Sequence, residues 1–318
     1  MTLKLLCWRM VLCFYAAMLA GCNKGPTPAF PSTELIYQTG SLTEVTDARV
    51  GFVNADGSGN QFVQSDRPLS KPVWSSNGKT VYALTWGGGA GYTGRLATWE
   101  EGQPMRVCQN AFWSSMTQIA SVQGSETPRL ALVVNAAKQL LLVDLDKCEL
   151  GQSILDYAKE EGHEVYGASF SADGHSVVFA ETPDNRATNP SHRIVSLNLE
   201  THFATQIGEG INPATSPDGT LIAFTALDGI YVVNVDGSER RRLIAVNTSA
   251  YLLPAHFDDL APTPRWSPDS QWLTYHRCAK DTVCRRPTDY SIFKAEVATG
   301  VEVKIIDSGV YPYWRIGP

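Results

Sequence analysis

The residues of this chain that could carry chemistry are six histidines, seven cysteines and a few adjacent acidic residues, and their spacing commits almost none of them to a reaction. His163-Glu164 and His175 do not fall into a His-Glu-x-x-His pattern, which would set two imidazoles on one helical face for a zinc ion, so no metal site is expected. No Gly-x-Ser-x-Gly elbow occurs, which excludes a serine hydrolase of the α/β type. The run from Trp86 to Gly94 is rich in glycine but lacks the Gly-Lys-Ser/Thr ending of a phosphate cradle, and it reads as a loop. Asp258-Asp259 reads as a solvated acidic loop. The expectation is a chain with no catalytic residue, no cofactor and no metal ion.

The cysteines divide by position. Cys7 and Cys13 lie in an apolar N-terminal run, Cys22 ends it, and four remain in the body, an even number that suggests disulfides in an exported protein. Cys278 and Cys284 flank five residues and can form a local bridge. Cys108 and Cys148 are the other candidates. The expected strand register sets them near opposite faces, about 15 Å apart, which is beyond disulfide reach unless the strand ends slip.

Lys4 and Arg9 precede and flank the apolar run Met10 to Ala20, which is shorter than the ~20 apolar residues needed to span a bilayer. Leu19-Ala20-Gly21-Cys22 closes it, and small residues directly before a cysteine resemble the lipobox of bacterial lipoproteins. Residues 1–21 are therefore expected to be a signal peptide, Cys22 the acylated N-terminus, and residues 22–33, with three prolines, a tether. Asn23 in place of an aspartate favours the periplasmic face of the outer membrane. The formal net charge of −6 argues against nucleic acid as a partner and leaves the lipid as the link to the membrane.

The elements that would have to position any site are legible as a repeat. Ile211 to Leu243 reads as strand, Ser216-Pro217-Asp218-Gly219 turn, strand, Asp228-Gly229 turn, strand, Asp236-Gly237 turn, strand. Ile230 to Val235 carries apolar residues at both parities, as a strand buried on both faces would. Aligned on Thr215, the unit recurs at Trp74, Phe170, Trp266 and Trp314. A degraded copy with Ile119 fills the gap, giving intervals of 45 to 51 residues. Leu35 to Thr39, Arg49 to Asn54 and Asn60 to Gln64 supply three strands without an inner one, and Tyr311 to Ile316 supplies an inner strand without the rest. The last blade is thus expected to be made from both ends of the sequence.

These units resemble the WD40-like repeats of TolB-type six-bladed β-propellers, Pro-x-Trp-Ser-Pro-Asp-Gly followed by Ile-Tyr-Val-x-Asn-x-Asp-Gly. The resemblance implies an all-β, six-bladed propeller of four-stranded antiparallel blades over residues 34–318, closed by its terminal strands. It also implies a non-enzymatic scaffold for another envelope protein or peptide. Strand alternation puts five long connections on one rim, Trp86 to Gly94, Asp156 to Glu164, Glu181 to His192, Ala245 to Ala261 and Arg277 to Tyr290, whereas the opposite rim is mostly tight hairpins. Trp74, Trp266 and Trp314 obey the period and are expected to pack between blades. Trp86, Tyr92, Trp113 and Tyr251 do not, and are the expected binding residues of the long-loop rim. The alternative is a glycan-binding or glycan-cleaving propeller, which would need acids, histidine or arginine clustered with aromatics at the channel.

Overall fold

The computed structural model describes residues 33–315, except for 41–47, 64, 66, 76, 87–93, 101, 109–115, 122–129, 136–138, 145–148, 157–162, 184–191, 247–260, 279–283 and 285–288. The expected signal peptide, Cys22 and the tether up to residue 32 lie outside these residues, and Thr33, expected to end the tether, is buried. Among the described residues no helix is long and apolar enough to cross a membrane.

The chain folds as a β-propeller of four-stranded antiparallel sheets. It begins with β1 (Leu35–Thr39), β2 (Arg49–Val53) and β3 (Gln61–Phe62). The next sheet is β4 (Leu69–Trp74), β5 (Thr80–Trp86), β6 (Gly94–Glu100) and β7 (Arg106–Val107), and a third is β8 (Met116–Ser121), β9 (Leu130–Asn135), β10 (Gln139–Asp144) and β11 (Glu149–Asp156). A fourth comprises β12 (Glu164–Phe170), β13 (Ser176–Thr182), β14 (Arg193–Asn198) and β15 (Ala204–Glu209). The fifth is β16 (Ile211–Thr215), β17 (Leu221–Ala226), β18 (Gly229–Asn234) and β19 (Arg241–Ala245). The sixth is β20 (Arg265–Trp266), β21 (Trp272–Cys278), β22 (Tyr290–Glu296) and β23 (Glu302–Asp307). Finally β24 (Val310–Trp314) returns to β1, pairing Leu35 with Trp314 and Ile36 with Tyr313 in the sheet ordered β24-β1-β2-β3. Consecutive first strands touch: β4 meets β8, β8 meets β12, β12 meets β16, β16 meets β20, β20 meets β24, and β24 meets β4.

Turn chemistry explains the hairpins between first and second strands. Ser216 Oγ donates to Asp218 Oδ1 at 2.6 Å and accepts the Leu221 N–H at 2.9 Å, so one hydroxyl ties the acidic turn to the start of β17. The same pattern recurs at Ser75 with Asn77 and Thr80, Ser171 with Asp173 and Ser176, and Ser267 with Asp269 and Trp272. Backbone geometry and local hydrogen bonds account for these residues without any ligand.

Packing between sheets uses the expected periodic aromatics. Trp74, Trp266 and Trp314 are buried, and Trp266 Nε1 donates to Ala214 O on the preceding first strand at 2.8 Å. Three expectations shift. Ile119 pairs with Val133 just after a register break, as Val73 pairs with Tyr82 just after one, so Ala120 and not Ile119 occupies the place of Trp74. Val235 lies beyond β18 in the Asp236-Gly237 turn and is 42% exposed. The fourth strand of the first unit shrinks to Gln61–Phe62.

Candidate functional site

Strands alternate in direction, so first strands begin, and second strands end, at the rim that carries the long connections. At this end of the axis the first strands share a distortion. Lys71, Gly167, Asn212 and Tyr311 have φ of 49°, 57°, 54° and 52°, each beside a break in the pairing register with the second strand. A left-handed residue is unremarkable for glycine but strained for lysine and tyrosine, and such strain persists only where neighbours hold it.

The holding groups are buried polar side chains from the second strand of the preceding sheet. Gln38 Oε1 on β1 accepts the Lys71 N–H at 2.9 Å, and His276 Nδ1 on β21 accepts the Tyr311 N–H at 3.4 Å. Thr225 Oγ1 on β17 donates to Pro262 O at 2.6 Å, an acceptor that Asn212 Nδ2 also reaches at 3.4 Å. Gln38, Thr225 and His276 are each no more than 2% exposed. A bulge frees a backbone group from its ladder, and a buried free group must find a partner; Gln38 and His276 supply it at Lys71 and Tyr311, and Thr225 ties β17 to the segment before β20.

Two cations flank β24. Lys71 Nζ lies 5.6 Å from the centre of the Tyr311 ring, and the Arg265 guanidinium lies 5.7 Å from that of Tyr313. Arg265 is partly buried, and desolvation lowers its pKa, offset in part by Tyr313. His276 has its pKa pushed down to about 3, first by burial and then by the nearby Arg265 charge. The imidazole is therefore neutral at physiological pH. With Nδ1 accepting, its proton sits on Nε2, which has no hydrogen-bond partner among the described residues.

A second grouping sits at the same end between β12, β13 and β14. Glu181, 7% exposed, accepts from Arg193 Nη2 at 2.6 Å and lies 3.3 Å from His163 Nε2. Beside it Thr182 Oγ1 and His192 Nδ1 are 2.5 Å apart, and the His192 pKa is lowered by burial against the opposing charge of Glu164. His163 and Arg193 thus both contact the carboxylate of Glu181, and Glu164 lies near His192. Among the described residues no group of three or more His, Cys, Asp or Glu side chains is arranged to hold a metal ion.

The backbone of Trp86 ends β5 opposite Gly94. Its side chain, with Tyr92, Trp113, Tyr251 and Cys148, lies outside what the structure describes. Cys278 and Cys284 form a disulfide with Cα atoms 5.8 Å apart. Cys108 is buried and disulfide-bonded, and its partner is outside the described residues because the other described cysteines bond each other. Sequence reading missed Lys71, Arg265, His276, Tyr311 and Tyr313. A signal was present: Lys-Pro-Val-Trp, Asn-Pro-Ala-Thr and Tyr-Pro-Tyr-Trp place the left-handed residue directly before proline, but only the fourth position of the motif was weighed.

No protein-family model matches the chain, and no curated protein matches it. Solved structures do. TolB from Acinetobacter baumannii superposes with a TM-score of 0.65 at 13% identity, covering 96% of this chain and 71% of that one. A chain of a nidogen/laminin complex gives a TM-score of 0.63 at 10% identity, covering 90% of this chain and 100% of that one. An oligogalacturonate lyase in complex with manganese gives 0.51 at 14% identity, covering 86% and 74%. At these identities the likeness is one of fold.

Proposed function

We propose that this chain is an exported binding propeller: six equivalent blades closed into one TolB-type ring over residues 34–318, held at the periplasmic face of a bacterial outer membrane by an acylated Cys22. It captures a protein partner at the long-loop end of its channel and turns nothing over. The observation that carries this reading is the seating of Lys71 and Arg265 on the rings of Tyr311 and Tyr313. That arrangement holds charge ready for recognition, while the adjacent His276 is neutral and enclosed and its pKa is too low for proton exchange near pH 7. The fold likeness to TolB agrees with it. The test is capture of envelope proteins on the full chain by crosslinking. Trp86→Ala, Tyr92→Ala, Trp113→Ala or Tyr251→Ala should weaken capture with little change in melting temperature, whereas Asn77→Ala and Ser238→Ala on the hairpin rim should not. Loss of capture only from the hairpin rim overturns the assignment.

A second reading, a glycan-active propeller, draws on the Glu181, His163 and Arg193 grouping and on the fold likeness to an oligogalacturonate lyase. Oligogalacturonate turnover abolished by Glu181→Gln would move the chain to the enzyme class.

A further inference from the structure

Arg265 is a cation with almost nothing to bind. It stands on β20, one of the strands around the axis, and among the described residues its guanidinium makes one hydrogen bond, from Nη1 to Pro264 O at 3.2 Å. It also lies over the face of Tyr313 and near His276, and no carboxylate among the described residues pairs with it. A partly buried guanidinium with no anion beside it among the described residues is costly, because desolvation is repaid only by a partner of opposite charge or by hydrogen bonds to its donors. Lys71, on the other side of β24, adds a second positive charge. Lys71 and Arg265 thus set two positive charges at one end of the ring's central cleft, in a chain whose formal net charge is −6. Fields focus in such a cleft, which draws anions to it and repels cations.

We propose that the channel is a receptor for the carboxylates of an acidic peptide, with Arg265 as the group that receives them in a two-pronged contact through its unused donors. This deepens the protein-binding reading and rests on it. A peptide fits better than an acidic sugar because sugar recognition needs an open aromatic face. Here the faces of Tyr311 and Tyr313 carry cations, and the two rings are only 8% and 7% exposed. The left-handed bulges of the first strands also leave the inner edge of the ring irregular, which suits single carboxylates entering along the axis better than a strand added to the sheet.

The experiment is calorimetric titration of the full chain at low salt with three probes: acetyl-pentaglutamate amide, its glutamine counterpart, and pentagalacturonate. Pentaglutamate should bind, with affinity falling as salt rises, and the glutamine peptide should not. Arg265→Gln should weaken pentaglutamate binding by about tenfold or more, and Arg265→Lys should restore part of it. Should Arg265→Gln disturb folding, the wild-type chain still decides: pentaglutamate should slow phenylglyoxal modification of Arg265 and leave that of Arg242, far out on β19, unchanged. Equal pentaglutamate affinity with and without Arg265, no protection, or tighter binding of pentagalacturonate each overturns the proposal. Failure here with rim-loop substitutions still abolishing protein capture would leave the binding reading standing and remove only its acidic chemistry.

Discussion

The amide of Tyr311 donates to Nδ1 of His276 at 3.4 Å, so the strand that completes the ring hangs on a side chain of the preceding sheet. The contact requires an unprotonated Nδ1. Tyr290 and Tyr311 approach the imidazole edge-on, with ring centres 5.6 and 5.2 Å away, and Arg265 is the charge that faces it. Burial and that charge both disfavour a second proton.

Stability should therefore depend on pH through His276. Its folded pKa, about 3, lies below the ordinary 6.5, so within that window the unfolded chain binds a proton that the folded chain refuses. Stability is complete above the ordinary value and is lost as pH falls toward the folded one, with a slope of up to about 1.4 kcal/mol per pH unit. His276→Gln keeps an acceptor for Tyr311 and should flatten this component. Urea unfolding across about pH 4 to 8 checks it; parallel curves for the two proteins would count against it.

Closure should make the last strand far more important than its length suggests. Trp314 is 6% exposed and packs with Leu35, Val53 and Ile292, so Trp314→Ala should cost ~3–5 kcal/mol as a buried aromatic truncation. Deleting residues 310–318 should abolish cooperative melting. A deletion variant with an unchanged melting curve would show that β24 is dispensable.

Gly51 should resist even a methyl group. It pairs with Tyr37 across β1 and β2, and a Cβ added there would lie 2.4 Å from the Tyr37 ring, whose hydroxyl is fixed by Asn60 Oδ1 at 2.7 Å. Because the ring is pinned at both ends, it cannot swing away. Gly51→Ala should destabilise by about 1–3 kcal/mol in thermal or chemical unfolding, as overpacking does. A neutral result would mean that the ring moves freely.

The proposed anchor predicts a specific product. Mass spectrometry of the membrane fraction should find diacylglycerol and an acyl chain on Cys22, and Cys22→Ala should release the protein from membranes. A soluble wild-type form retaining residues upstream of Cys22 would defeat the assignment.

Much of the fold was legible because its determinants are local. Ser216, Asp218 and Gly219 make a turn wherever they stand, and the strands that follow them alternate or run apolar according to how many faces they bury. The terminal pairing was legible by subtraction, three strands at one end lacking the one found at the other. The site was not legible. The left-handed turn at Lys71 and Tyr311 is imposed by Gln38 and His276 across a sheet boundary, and nothing in a single segment announces a partner donated by the blade before it. Arg265 escaped notice for the same reason. As a lone basic residue in Thr-Pro-Arg-Trp it is ordinary, and what distinguishes it is a place over Tyr313 with no carboxylate beside it among the described residues.

The pairing of Leu35 with Trp314 also sets an order of events in synthesis. Strand β24 emerges after every other strand, so the sheet begun first is completed last, and its contacts span nearly the whole described chain. Bringing such distant segments together slows folding, because loop entropy is lost before the contact rewards it. Until residues 310–314 are in place, the inner edge of Leu35–Thr39 lacks the strand that it pairs with in the folded ring. A nascent or truncated chain therefore presents an open edge of buried-type residues, available to chaperones, proteases or another copy of itself, and only the complete chain takes that edge out of circulation.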